Sequence, residues 1–326
     1  MSDVLAPAPA EVSVIQQANR TFRTRLKALQ SQLKEIGKKE EDSAQIFHKT
    51  RVLTRKIQAA TFAYRTLLPK KLRSKINRQT KEIRQKASEV RDIDVCLELT
   101  NPLISEGDAT LAQAAVALKG ILKERRELAL NAFQDACFEA GQSEAWNKLR
   151  KKLDKELLST KDERHFINAP EYGLFSIQSA WQEVIDAHDY FENGGETDEE
   201  LHGLRKKVKR FRYTVELFPQ SLDKAERKTI LEACKKVQDA LGAVTDILQL
   251  RTVTCHAEIS LRKGTIELRQ AFTHLHQWLD DQEFDLRDRF KQVWHQHFIP
   301  VARLTEPKTW PMPVQESFDI PHDQIN

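Results

Sequence analysis

Basic side chains in the middle of the chain recur with the spacing of one helix face. At about 100° per residue, a helix formed by residues 201–213, LHGLRKKVKRFRY, places five of them within about a third of its circumference. These residues are His202, Arg205, Lys206, Lys209 and Arg212. Apolar residues on a separate arc predict the core-facing side: Leu201, Leu204, Val208, Phe211 and Val215. Cations about 5–6 Å apart along a line suit a linear polyanion.

The same pattern occurs earlier in the chain, in the segment FHKTRVLTRK. A shift of 154 residues aligns His48, Arg51, Arg55 and Lys56 with His202, Arg205, Lys209 and Arg210. Without a gap, this shift also aligns Asp92 with Asp246. A single chance motif does not hold register over so long a stretch, so the chain is predicted to contain two diverged copies of one unit.

The repeated H-x-x-R-x-x-x-[R/K] motif, followed in each copy by an aspartate, resembles the CHAD domain, the conserved histidine α-helical domain. The resemblance covers about residues 13 to 300. It implies two helical bundles related by pseudo-two-fold symmetry, with basic faces that bind inorganic polyphosphate. It also implies a place on polyphosphate granules, among granule-associated proteins.

Further candidates for phosphate contact lie beside the two motifs. Lys81 and Arg84, on the next predicted helix, are three residues apart and could line up with the first motif helix. Tyr213 falls on the basic face of the second motif helix. The predicted polyphosphate-binding residues are His48, Arg51, Arg55, Lys56, Lys81, Arg84, His202, Arg205, Lys206, Lys209, Arg210, Arg212 and Tyr213.

The two aspartates are predicted to support these residues. A carboxylate at Asp92 or Asp246 that pairs with a motif Arg or His would fix the rotamer of that side chain. The RDID sequence around Asp92 contains DxD, a weak metal signal that the second copy does not keep. Thr245 stands where the first copy has Arg91, so any role of that arginine in orienting the aspartate is missing from the second half. We predict no catalytic residue, no metal and no cofactor.

Composition favours an all-α protein. The 326 residues are 31% charged and 40% hydrophobic, with 10 Gly and no run of alternating β-branched residues. The net charge of +4 is modest, but residues 47–91 hold fourteen Lys or Arg and two acids. The four cysteines show no CxxC spacing, and no apolar stretch is long enough to cross a membrane. With no secretory signal at the N-terminus, we expect a cytoplasmic protein.

Two pseudo-symmetric antiparallel helical bundles with long helices are predicted. Their bounds are residues 12–160 and 171–304, between a disordered segment at 1–11 and a C-terminal extension at 305–326. Predicted helices lie at about 12–36, 43–68, 71–95, 109–140, 145–158, 174–191, 198–218, 224–241, 243–257 and 262–297. Thr197 begins a T-x-x-E capping box and is the expected N-cap of the second motif helix. Asn101-Pro102 is expected to lie between helices.

Three functions compete for the basic faces. The first is non-enzymatic polyphosphate binding, and the second is binding of a nucleic-acid backbone. Few aromatic residues lie near the basic faces, which favours a chain without bases. The third is a role in phosphoanhydride metabolism, because CHAD domains are often fused to a CYTH-type triphosphatase domain; residues 1–40 contain no ExExK motif of such a domain. A fourth interpretation, an inert helical scaffold, leaves the repeated histidine unexplained.

Overall fold

A computed structural model describes residues 13–36, 44–158, 168–194, 197–260 and 265–301. The helices are α1 (Val14–Ile36), α2 (Ala44–Ala63), α3 (Lys70–Ser105), α4 (Ala109–Gln142), α5 (Ala145–Leu157), α6 (Ala169–Gly194), α7 (Asp198–Leu217), α8 (Lys224–Ser260) and α9 (Ile266–Val293), which continues into a π-helical turn (Trp294–Phe298). In these ranges the only β-type pairing is an isolated bridge between Ser13 and Asn168. The all-α fold class is confirmed. The predicted segments 1–11 and 305–326 lie outside the described residues.

The core joins the two halves of the chain. One large apolar cluster includes Phe22 and Ile57 from the first half together with Phe211 and Leu241 from the second. A smaller cluster brings Leu118 and its neighbours on α3 and α4 against residues of α8 and α9. Equivalent helices meet across the molecule, because α2 packs on α7 and α3 packs on α8. The two basic helices are therefore held side by side by shared apolar packing.

Both motif helices bury an apolar face. The five apolar residues predicted for α7 are fully buried, as are Ile57 and Ala60 on α2. Thr197 is the N-cap of α7, and its hydroxyl accepts a hydrogen bond from the Glu200 backbone N–H in a complete capping box. The prediction of Thr197 as N-cap is confirmed. The cap fixes the first residue of α7 and, through it, the angular position of every basic residue on the helix.

Two predicted helix boundaries are wrong. Helix α3 continues through Pro102 to Ser105, because burial of Thr100 and Leu103 outweighs the single backbone bond that a proline removes near a helix end. Residues 224–260 form one helix instead of two, and Gly242 lies inside it. A Cβ at Gly242 would be 3.4 Å from Arg205 Nη2, so the glycine leaves room for that guanidinium.

Smaller differences occur at other helix ends and on α9. Helix α2 ends at Ala63 instead of near residue 68, and α6 begins at Ala169, five residues before the predicted start. Proline is well tolerated in a first helical turn, which explains why Pro170 does not delay α6. Phe284 is 75% exposed and does not belong to the core face of α9, although its neighbours Leu279 and Phe290 do. Helical spacing predicts Phe284 on the apolar face that closes the second bundle, so spacing alone overestimates the width of that face.

Alanine substitutions at two glycines should change stability in opposite directions. Gly173 is closely packed where α6 meets the end of α7, whereas Gly120 on α4 is open. A Cβ at Gly173 would lie 2.7 Å from the Cβ of buried Phe218, whereas a Cβ at Gly120 meets nothing within 4 Å. We expect Gly173→Ala to lower the free energy of unfolding by about 1–3 kcal/mol through overpacking. Gly120→Ala, the matched control in an open helical position, should raise it by about 0.5–1 kcal/mol. Urea unfolding measures both, and a Gly173→Ala protein as stable as the wild type would contradict this packing.

Candidate functional site

Four helices surround a cavity between the two halves of the chain. Its volume is about 850 Å³, and its lining comes from α2, α3, α7 and α8. Because α2 packs on α7 and α3 packs on α8, the motif residues of both copies face one space. The cavity size falls within the range typical of ligand sites.

Nine of the thirteen predicted binding residues line this cavity. They are Arg51, Arg55, Arg84, His202, Arg205, Lys206, Lys209, Arg210 and Tyr213. Asp92 and Asp246, the predicted supporting residues, also line it. The two basic rows therefore lie on one shared surface, and each copy contributes cations to it.

Four predicted residues do not line the cavity. His48 and Lys81 are exposed. Lys56 and Arg212 are drawn to Glu216, with Nζ and Nε lying 3.9 and 3.0 Å from its carboxylate oxygens. The i,i+4 spacing of Arg212 and Glu216 carried a usable signal for that pair. The contact of Lys56 with Glu216 joins α2 to α7, so helical spacing could not show it.

Two arginine–aspartate pairs occupy matching positions in the two copies. Arg51 Nη2 lies 3.3 Å from Asp92 Oδ1, and Arg205 Nη2 lies 3.9 Å from Asp246 Oδ1. Both arginine side chains are largely buried, at 14% and 18% exposure. The Nε atoms of both are also buried and have no hydrogen-bond acceptor among the described residues. Each carboxylate thus holds one side of a guanidinium that keeps unused donor capacity.

Arg91 does not orient Asp92. Its guanidinium instead donates to Glu98, with Nη1 2.8 Å from Oε1. The equivalent residue in the second copy, Thr245, donates its hydroxyl to the Leu241 carbonyl at 2.7 Å. The change from Arg91 to Thr245 therefore leaves the aspartate pairing intact in both copies.

Burial makes positive charge costly in this cavity. Burial, followed by the charges of Arg205, Arg55 and Arg51, lowers the pKa of Lys209 to about 6. Burial and the nearby Lys206 and Arg205 lower the pKa of His202 to about 4. Without a ligand at neutral pH, both groups are therefore largely uncharged.

Burial shifts the pKa of the two cavity aspartates in the opposite direction. Burial raises the pKa of Asp92 and of Asp246, although Arg51 and Arg205 each partly offset the shift for their own partner. Burial also lowers the pKa of both arginines, which remain charged because a guanidinium does not lose its proton in proteins. In the cavity the arginines therefore keep a fixed charge. The charges of Lys209, His202 and the two aspartates depend on the ligand that enters.

Neutral polar residues complete the lining, and the sequence analysis missed them. They include Gln58, Gln85, Ser88, Gln249 and Thr252. Two acids, Glu89 and Asp198, were also missed. Helical spacing around the aspartates carried a usable signal, because Ser88 precedes Asp92 by four residues and Gln249 follows Asp246 by three.

Phe62 does not offer a ring to the cavity. Two guanidinium groups lie over its ring, with the Cζ atoms of Arg65 and Arg210 at 4.3 and 4.6 Å from the ring centroid. Arg210 also pairs with Glu183 on α6. These contacts hold Arg210 at the cavity edge and leave Tyr213 as the aromatic residue of the lining within the described chain.

The described ranges show neither a metal-ion cluster nor a membrane-spanning helix. They contain no cluster of three or more His, Cys, Asp or Glu side chains arranged to hold a metal ion. None of their helices combines the length and apolar character needed to cross a bilayer.

Comparison with known proteins identifies relatives of this fold. A family model described as the CHAD domain matches residues 20–254. The crystal structure of the CHAD domain from the plant Ricinus communis superimposes with a TM-score of 0.65 at 17% identity, covering 89% of this chain and 94% of that one. PptA from Streptomyces chartreusis gives a TM-score of 0.66 at 15% identity, covering 87% and 99%. Curated proteins give no match in sequence.

Replacing the buried Lys209 with an apolar residue should stabilise the empty protein. Between pH 6 and 10.5 the unfolded chain binds a proton at Lys209 that the folded protein does not, so stability from this group rises with pH across that window. We expect Lys209→Met to raise the free energy of unfolding by about 1–3 kcal/mol at pH 6.5, and by less at pH 9.5. Urea unfolding at the two pH values measures the difference.

The exposed Lys228 supplies the control, because its side chain is 76% exposed on α8. Lys228→Met should change stability by less than about 0.5 kcal/mol at either pH. If Lys209→Met destabilised the protein as much at pH 6.5 as at pH 9.5, Lys209 would not be held in an unfavourable environment.

Proposed function

The chain belongs to the CHAD domain family, and from this premise we propose that its basic cavity binds inorganic polyphosphate without catalysing a reaction on it. The family is associated with polyphosphate binding and with phosphoanhydride metabolism. The proposed binding site is the cavity lined by α2, α3, α7 and α8.

The observation that carries the proposal is the charge of the cavity. Seven Lys or Arg residues and four carboxylates line it. With Lys209 uncharged, the excess is two positive charges, and it becomes three when Lys209 regains its proton. Two of the carboxylates, Asp92 and Asp246, are engaged with Arg51 and Arg205. A polyanion would supply the missing negative charge and would restore the proton to Lys209.

Arginine donors and the shape of the site favour phosphate groups. A guanidinium offers a planar fork of N–H donors that fits phosphate oxygens, and Arg51 and Arg205 are already oriented by their aspartates. Six of the seven cations come from α2 and α7, which lie side by side, so successive phosphates of one linear chain could contact both rows. Counterion release should make the affinity fall steeply with salt.

A binding role is favoured over catalysis by the arrangement of the carboxylates. Asp92 and Asp246 each face an arginine, which suits them to fixing guanidinium groups more than to holding a catalytic metal. In a cell, this function would place the protein in the cytoplasm on polyphosphate granules, beside other granule proteins. A fluorescent fusion should then lose its foci when polyphosphate is removed.

The second candidate, binding of a nucleic-acid backbone, would use the same cations. Single-stranded nucleic acids are usually held by several stacking rings, whereas Tyr213 is the aromatic residue that lines this cavity in the described part of the chain. This shortage favours a chain without bases.

Competition and substitution test the proposal together. Arg55 and Lys209 occupy equivalent positions in the two copies and both line the cavity. We expect Arg55→Gln and Lys209→Gln each to weaken binding of labelled long-chain polyphosphate about tenfold, since each removes a charge-assisted contact. Lys81→Gln, which removes an exposed cation outside the cavity, should change the affinity less than about twofold.

Unlabelled RNA and duplex DNA complete the design as competitors. At equal phosphate concentration they should displace the label much less effectively than unlabelled polyphosphate. Equal displacement by nucleic acid would favour the second candidate. Equal losses from Lys81→Gln and Arg55→Gln would show that the cavity is not the binding site.

A further inference from the structure

A second cavity opens directly beside the basic one. Its volume is about 460 Å³, and it lies between α3, α4 and α8. Glu89, Asp92, Gln249 and Thr252 line both cavities, so the two spaces adjoin along these residues. We call this second space the side groove.

The side groove differs in chemistry from the basic cavity. Six of its twelve lining residues are aliphatic: Ile93, Leu122, Leu128, Ala129, Ala132 and Val253. Leu128 is 72% exposed at its edge, which is unusual for a large apolar side chain. Arg125 and His256 add two planar groups, both on the exposed surface.

We propose that the side groove binds the nucleoside part of a nucleoside polyphosphate whose phosphate chain occupies the basic cavity. This inference rests on the proposed function, because it needs the basic cavity to hold phosphates. Nucleoside polyphosphates would be a second ligand class, recognised by the uncharged nucleoside as well as by the phosphates.

Charge at the junction argues against a polyphosphate chain that simply continues into the side groove. Glu89 and Asp92 lie where the two spaces meet, and Glu89, which unlike Asp92 is not paired with a cavity arginine, would repel phosphate oxygens. The nearest cation to Glu89 in the described chain is Lys86, at 3.9 Å. A ribose is uncharged and its hydroxyls can donate hydrogen bonds to carboxylates, so it suits this junction better than a phosphate does.

Planar side chains favour a base in the rest of the groove. Bases stack on imidazole rings and on guanidinium planes, and His256 and Arg125 supply one of each. Leu128 can cover an apolar face of the base. One base needs one such platform, unlike the run of platforms that a nucleic-acid strand requires. A hydrocarbon chain would cover the polar side chains of Gln249, Thr252 and Glu89 without offering them a hydrogen bond, at an energetic cost.

The test compares two ligands with the same number of phosphates. Isothermal titration of the full chain, without divalent cations, should show adenosine 5′-tetraphosphate binding about tenfold more tightly than inorganic tetraphosphate. Ala132→Trp places a large ring in the side groove and should reduce this advantage to less than about twofold, while inorganic tetraphosphate keeps its wild-type affinity. Asn131→Trp, one residue away on the exposed side of α4, should leave the advantage unchanged.

The outcomes separate this inference from the proposed function. If inorganic tetraphosphate binds and the nucleotide has no advantage, or if the advantage survives Ala132→Trp, the nucleoside assignment is overturned while the basic cavity keeps its role. If geranyl diphosphate gains more over inorganic diphosphate than adenosine diphosphate does, the groove accepts a hydrocarbon and the assignment is also overturned. Failure of inorganic polyphosphates of every length to bind would overturn the proposed function itself.

Discussion

Mutual repulsion among buried cations is the constraint on which this structure depends. Helices α2 and α7 lie side by side and turn arginines and lysines into one cavity, where burial lowers the pKa of Lys209 and His202. Two aspartates on α3 and α8 offset part of the repulsion through equivalent pairs with Arg51 and Arg205. The remaining positive charge is an unfavourable feature of the empty protein that a polyanion would convert into binding energy.

The rest of the fold keeps these charges from moving apart. The large apolar cluster joins α1 and α2 to α6 and α7, and the smaller cluster joins α3 and α4 to α8 and α9. Helices α3 and α8 contribute residues to both clusters. On each helix, buried core residues lie both before and after the aspartate, so its position is fixed from both sides. Packing between the halves therefore supplies the free energy that holds like charges together.

Local periodicity was enough to predict the basic faces, because the angle of a side chain around a helix depends only on its position in that helix. The 154-residue shift then predicted that Arg51 and Arg205, like Asp92 and Asp246, are equivalent. Packing decided what local spacing could not: Glu216 on α7 draws Lys56 on α2 away, and α3 continues through Pro102. The depth of Lys209 and the position of the side groove beside the basic cavity depend on contacts between distant segments, so no sequence window contains them.

Proton uptake on ligand binding tests the central claim most directly. Calorimetric titration of long-chain polyphosphate at pH 7.5, in buffers with different ionisation enthalpies, counts the protons that the complex takes up. If a polyanion fills the cavity and restores the charge of Lys209, the wild type should take up about one proton per cavity, and Lys209→Met should take up clearly less. Polyphosphate binding with no proton uptake, or with the same uptake in the variant, would show that the ligand binds elsewhere and would contradict this account.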